Sequence, residues 1–112
     1  MTTPEGTIKG KLDRRLKALK PLGLWYYSPQ SGPHGASGIP DRVLCVAGTF
    51  VGIECKRDAN HKLTPLQLKQ KEWIEQAGGV YFIVYDAQTI AEAVLWVSQR
   101  LKEAHPNASV EG

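Results

Sequence analysis

Cysteine is scarce in this chain: Cys45 and Cys55 are the only two among 112 residues. Their spacing fits no metal-ligand cluster of the usual kind, so zinc fingers and ribbons drop out. Both lie in apolar runs and read as small buried hydrophobes in a reducing cytosol. No apolar run approaches the ~18 residues that a membrane span needs. The N-terminus lacks an apolar h-region, so no secretory signal is evident and a cytoplasmic protein is expected. Internal repeats, low-complexity tracts and helix-turn-helix patterns are missing as well.

What is present is ordinary in bulk. The hydrophobic fraction is 42% and the charged fraction 22%, as in soluble globular domains. A chain of this length makes one domain and buries roughly two thirds of its unfolded surface, enough for a core without staples. One domain over residues 1–104 is expected, with a disordered tail over 105–112. The net charge is +3, with a pI near 9.0. That is compatible with nucleic acid but too mild to imply it.

Periodicity gives the elements. A first helix begins at Thr2 or Thr3, where Thr2 and Glu5 fit a capping box. Ile8, Leu12, Leu16 and Leu19 mark its buried stripe, and Pro21 and Gly23 end it. Leu24 to Ser28 reads as a strand, and Pro29 to Pro40 as a loop rich in Gly, Pro and Ser. Arg42 to Val46 and Phe50 to Lys56 read as a hairpin. Thr64, Pro65 and Gln67 open a second helix that stops at Gly78-Gly79. Val80 to Tyr85 is a further strand. Asp86 caps a last helix with Ile90, Ala93 or Val94, Val97 and Leu101 inward. The order α-β-β-β-α-β-α predicts an α/β fold, a mixed sheet flanked by helices.

Two short pieces carry the chemistry: Gly38-Ile39-Pro40-Asp41, and Ile53-Glu54-Cys55-Lys56 one hairpin later. Side chains alternate along a strand, so Glu54 and Lys56 share a face. Such groups are rarely buried unless they are paired. Ala47-Gly48-Thr49 reads as the turn: two turn residues would set Val46 against Thr49 and Asp41 against Glu54, whereas three would set Val46 against Phe50 and Asp41 against Cys55. A one-residue slip would turn Asp41 away. Two carboxylates hold a hard divalent cation through oxygen, and a neighbouring lysine positions water or stabilises developing charge. Taken singly, Pro-Asp is a common turn pair and Glu-x-Lys an ordinary surface ion pair. Together, on neighbouring strands after a helix, they point to metal-dependent phosphodiester hydrolysis.

These pieces, with Leu63-Thr64-Pro65-Leu66-Gln67 and Gly78-Gly79, resemble the VRR-NUC family of the PD-(D/E)XK nuclease superfamily. The likeness covers about residues 5–101. It implies a restriction-endonuclease-like αβββαβ core with an extra C-terminal helix. It also implies that Asp41, Glu54 and the Cys55 backbone carbonyl hold Mg²⁺ or Mn²⁺, while Lys56 positions water or stabilises the transition state. Gln67 would support the site, although it equally fits a capping partner for Thr64. Glu5 matches an acidic residue on the superfamily's first helix, which would make it a further cation ligand, or it only completes the Thr2 cap. All-oxygen ligands favour Mg²⁺ or Mn²⁺ over Zn²⁺.

Arg14 and Arg15 on the first helix, with Arg57 and Lys62 beside the site, are candidate DNA-phosphate contacts. A solvated basic face is the plainer reading. His34 in the loop before Asp41 is a further candidate contact, its plainer reading a solvated loop side chain. Small members of the superfamily often act as homodimers on branched DNA such as four-way junctions or flaps, and their size suggests a phage setting. Three rival readings remain: a DNA-binding or phage-assembly module on a nuclease fold, a structural protein using its basic helix and aromatics, and a sequence-specific restriction enzyme.

Overall fold

A computed structural model of the chain describes residues 3–30 and 37–107. Thr2, His34 and residues 108–112 of the expected tail lie outside the described residues.

Helix α1 runs Pro4–Lys17. Thr3 is its N-cap: the Thr3 hydroxyl accepts the Gly6 N–H at 2.9 Å. With the cap at Thr3, Glu5 falls inside the first turn, where a carboxylate meets the positive end of the helix dipole. Ile8, Leu12 and Leu16 are buried, as their spacing requires. A short 3-10 turn, Lys20–Leu22, ends on Gly23, whose φ of 102° suits glycine.

Strands β1 (Trp25–Tyr27), β2 (Arg42–Val46), β3 (Thr49–Cys55) and β4 (Val80–Val84) form one sheet in the order β1-β2-β3-β4. The first three pair antiparallel. The β3–β4 pair is parallel, joined through helix α2 (Pro65–Gln76). Helix α3 (Ala87–Ala104) follows, capped by Asp86. The fold is therefore α/β with a mixed four-stranded sheet and three helices. No helix among the described residues is long and apolar enough to cross a membrane.

The core lies on one face of the sheet. Leu44, Val46, Val51, Ile53, Cys55 and Val84 point there, against Leu12 and Leu16 of α1 and the stripe Ile90, Ala93, Val94, Val97 and Leu101 of α3. Each buried aliphatic side chain contributes about 1.5–3 kcal/mol. Burial pushes the Cys55 thiol up to about 12. Cys45, expected inside, is exposed. One residue of alternation turns it to the other face, which no helix covers at that point. The aromatics divide in the same way. Tyr26, Phe82 and Trp96 pack against the core, while Trp25 and Trp73 are exposed. His105, expected in the tail, caps α3 instead: its N–H donates to the Leu101 carbonyl at 2.8 Å.

Helix α2 sits on the opposite face, over β3 and β4. None of its residues is buried.

The β2–β3 hairpin turns through two residues, Ala47 and Gly48, with φ of 49° and 86°. Right-handed strand twist favours such turns, and they prefer Asn-Gly. Alanine at positive φ carries about 1 kcal/mol of strain. Ala47→Asn is therefore expected to stabilise the protein by about 1 kcal/mol, read as a raised urea midpoint at unchanged slope.

Candidate functional site

The hairpin register places the site. Val46 opposes Thr49 and Arg42 opposes Ile53, so Asp41, one residue before the strand, stands across from Glu54. There the ladder gives way to side chains. The Asp41 N–H donates to Glu54 Oε1 at 3.1 Å, and the Cys55 N–H donates to Asp41 Oδ2 at 2.8 Å. Each carboxylate is thereby tied to the other residue's strand. Pro40 is buried and holds the approach to Asp41. It lies over Gly52, where a Cβ would come within 2.7 Å of Pro40 Cγ. Only glycine leaves room for that packing.

Helix α2 completes the cluster with Gln67. Its Nε2 donates to Glu54 Oε2 at 2.6 Å, and its Oε1 accepts from Lys56 Nζ at 2.7 Å. The same Oε1 accepts the Thr64 N–H at 3.0 Å, while the Gln67 N–H donates to the Thr64 hydroxyl at 3.2 Å. Gln67 thus caps its helix and bridges Glu54 to Lys56 at once; the two readings of this residue are compatible. Lys56 Nζ lies 4.0 Å from Glu54 Oε2.

Glu54 and Lys56 are the buried charged residues of the described chain. Burial first, then the negative charge of Asp41, pushes the Glu54 carboxyl up to about 8. Two carboxylates crowded in this way favour either a proton or a cation between them. Tyr81, beside Gly52 on β4, carries a buried hydroxyl with no protein partner. Burial, then the charges of Glu54 and Asp41, raises its pKa.

Helix α1 approaches from the side. Lys9 Nζ is 3.4 Å from Asp41 Oδ1. Asp13, one turn on, receives Arg42 on both oxygens, at 2.7 and 2.8 Å. Arg42 Nη1 also donates to the Asp41 carbonyl at 2.6 Å. The Asp13 hydrogen bond leads the causes that raise the Arg42 pKa. In the sequence Lys9 is one of several basic residues of α1 that mostly fall off the buried stripe. The available signal was its place beside Ile8, on the same flank as Asp13 four residues later.

Asp41, Glu54, Lys56 and Gln67 are therefore brought together. Glu5 is half-buried one turn before Lys9, and it is Lys9 that meets Asp41. Among the described residues, no group of three or more His, Cys, Asp or Glu side chains converges as a metal site. The oxygen donors at hand are the Asp41 and Glu54 carboxylates. The N–H and C=O of a strand residue point to the same edge, so the Cys55 carbonyl opens on the Asp41 side that its N–H already faces. Two crowded carboxylates with that carbonyl suit a hard divalent cation.

The basic candidates separate in space. Arg57 follows Lys56 directly and is exposed, as is Lys62 in the same loop. Arg14 and Arg15 instead line a recess of about 210 Å³ with Lys11, Ala87 and Ile90. That recess lies between α1 and the start of α3, away from the flank that carries Lys9 and Asp13. No protein-family model, curated protein or solved structure matches the chain.

Proposed function

We propose that this protein is a divalent-metal-dependent nuclease that hydrolyses phosphodiester bonds in DNA. The observation that carries the proposal is the cluster itself: Asp41 opposite Glu54, with Lys56 held beside them by Gln67 on one sheet face. The element order αβββαβ supports a PD-(D/E)XK core, and the resemblance to the VRR-NUC family rests on the same residues.

Asp41, Glu54 and the Cys55 carbonyl would hold Mg²⁺ or Mn²⁺. When bound, the cation would supply Lewis-acid polarisation of the phosphate and a lower pKa for a bound water. The chain's own groups do the rest. Lys56 is a donor in a largely dry setting, aimed by Gln67, and suits an attacking water or a developing oxyanion. Gln67 fixes both Lys56 and the outer oxygen of Glu54, so the two cannot drift apart. Arg57 and Lys62, exposed in the loop after Lys56, would meet phosphates next to the cut. The absence of any base-reading motif favours recognition of DNA shape, such as a flap or four-way junction.

The test is cleavage of linear, flapped and four-way-junction DNA with Mg²⁺ and then Mn²⁺, with a chelator and a Glu54→Ala protein as controls. Metal-dependent cutting that the mutant lacks is the expected result. Equal cutting by the mutant sinks the assignment. Tight DNA binding without any cutting moves the reading to a binding module on this fold.

A further inference from the structure

The carboxylate pair is graded in exposure. At one end the Glu54 and Lys56 side chains are only 3% and 10% exposed, and Gln67 holds the lysine. At the other, Asp41 is 21% exposed and Lys9 35%. Asp41 Oδ2 is committed to the Cys55 N–H, and Lys9 Nζ stands 3.4 Å from the remaining oxygen, Oδ1. Each carboxylate therefore has its own ammonium: Lys56 from just past β3 for Glu54, and Lys9 from α1 for Asp41. Helix packing, more than its own charge, puts Lys9 there. Ile8 and Leu12 are buried and set the rotation of α1, and Lys9 and Asp13 follow them on one flank. Asp13 grips Arg42 with both oxygens, a forked geometry that fixes orientation. Arg42 in turn donates to the Asp41 carbonyl at 2.6 Å. Helix α1 thus holds Asp41 twice, by its carbonyl through Arg42 and by its side chain through Lys9.

Building on the nuclease reading, we propose that Lys9 stands in for a second cation: it occupies Asp41, meets the substrate phosphate, and limits the protein to one divalent ion per chain. Two-ion sites hold their metals about 3.5–4 Å apart, and four positive charges that close need several carboxylates. Among the described residues two carboxylates meet here, and no third His, Cys, Asp or Glu joins them. Both already face an ammonium. One ion can share the pair with Lys9, whereas a second would have to displace it from Asp41. The ammonium is a compact point charge carried by the chain itself, so it need not be captured from solution. Its greater exposure also decides what it meets. A phosphodiester approaching the pair reaches Lys9 before Lys56, which is buried and tied to Gln67, and lysine pairs readily with phosphate. A lysine that merely braced Asp41 would help this carboxylate bind metal. One that competes with metal for Asp41 hinders it, so the sign of the effect separates the two roles.

Calorimetric titration of the full chain with Mn²⁺ alone, at one fixed pH and without DNA, tests this. One ion per chain is expected for the wild type. Lys9→Gln removes the competing charge and should bind that ion about tenfold more tightly, while Lys9→Arg should match the wild type. Lys9→Glu, which adds a third carboxylate, should take up a second ion. Lys17→Gln, at an exposed lysine of the same helix, should change nothing. At saturating Mn²⁺, Lys9→Gln should cut DNA about a hundredfold more slowly. Tighter metal with slower cleavage is a split that damage to the fold would not produce. Two ions in the wild type overturn the proposal. So does unchanged or weaker Mn²⁺ affinity in Lys9→Gln, which makes the lysine a brace. Equal tightening by Lys17→Gln overturns it in favour of net charge, and undiminished cleavage by Lys9→Gln removes the phosphate contact. The two readings fail separately. Two ions with normal cleavage strike Lys9 alone, and the expected Mn²⁺ pattern without cleavage of any DNA strikes the nuclease alone. No Mn²⁺ uptake by the wild type strikes both.

Discussion

Replacing Glu54 with alanine is expected to lower DNA cleavage by at least about a thousandfold, or about 4 kcal/mol of transition-state stabilisation. Glu54 is both a proposed cation ligand and the anchor of Gln67, which aims Lys56. Its loss removes the ligand and loosens the lysine together, so a Glu54→Ala/Lys56→Ala double variant should fall little further. Circular dichroism should show an intact fold, because the apolar core lies on the other side of the sheet.

The same residue sets the pH dependence. Its carboxyl is pushed up to about 8 in the folded protein from an ordinary 4.5. Between these values the folded state holds a proton that the unfolded chain has released. The stability from this group is full below the ordinary value and is lost as pH rises toward 8. Cation binding runs the other way, because the ligand must be ionised. Mn²⁺ affinity in the wild type should fall by up to about tenfold per pH unit below 8, with proton release visible by calorimetry in buffers of different ionisation heat. Affinity that stays flat between pH 6 and 8.5 would refute Glu54 as the titrating ligand.

Gly38→Ala carries the second large effect, this time on stability. Gly38 has φ of 78°, and a Cβ there would stand 2.5 Å from the Leu66 carbonyl oxygen and 2.9 Å from the Gln67 nitrogen. Neither backbone atom can move without shifting the start of α2. The strain of positive φ adds about 1 kcal/mol. Together these predict a loss of about 3 kcal/mol, which at this size lowers the melting temperature by about 12 °C. Gly48→Ala is the comparison: its φ is 86° but nothing lies within 4 Å of the added Cβ. It should cost about 1 kcal/mol, strain alone. Equal losses in the two variants would mean that the clash at Leu66 is relieved cheaply. The site should suffer as well, since Gly38 braces the segment leading to Asp41 against the turn of helix that carries Gln67.

Much of this arrangement is legible in the sequence because it obeys short-range rules. The stripe from Ile90 to Leu101 follows helical spacing and is buried, with both Ala93 and Val94 inward where the spacing asked for one of them. The hairpin itself is legible, but Ala47-Gly48-Thr49 allows a turn of two or three residues, and the structure takes two, which sets Asp41 across from Glu54. The failures are tertiary. Cys45 sits in an apolar run like Cys55, yet only one of them meets a helix. Trp73 and Leu66 are large and apolar, but α2 rides on the sheet without burying a residue. Lys9 looks like any surface lysine until the packing of α1 brings Asp41 within reach. Pattern along the chain says which residues share a side. It does not say what, if anything, will lie against that side.

The clustered polar groups all come from one stretch, residues 41–67, whereas the two helices that seal the core come from opposite ends of the described chain. These parts assemble on different clocks. A hairpin closes in about 1–10 µs, but contacts between distant segments wait on the slower search through long loops. During synthesis the β2–β3 hairpin, with Asp41 already facing Glu54, is complete before α3 has been made. Until that helix arrives, Leu44, Val51 and Ile53 have only α1 to cover them. The newborn chain therefore holds its carboxylate pair early and covers its core late.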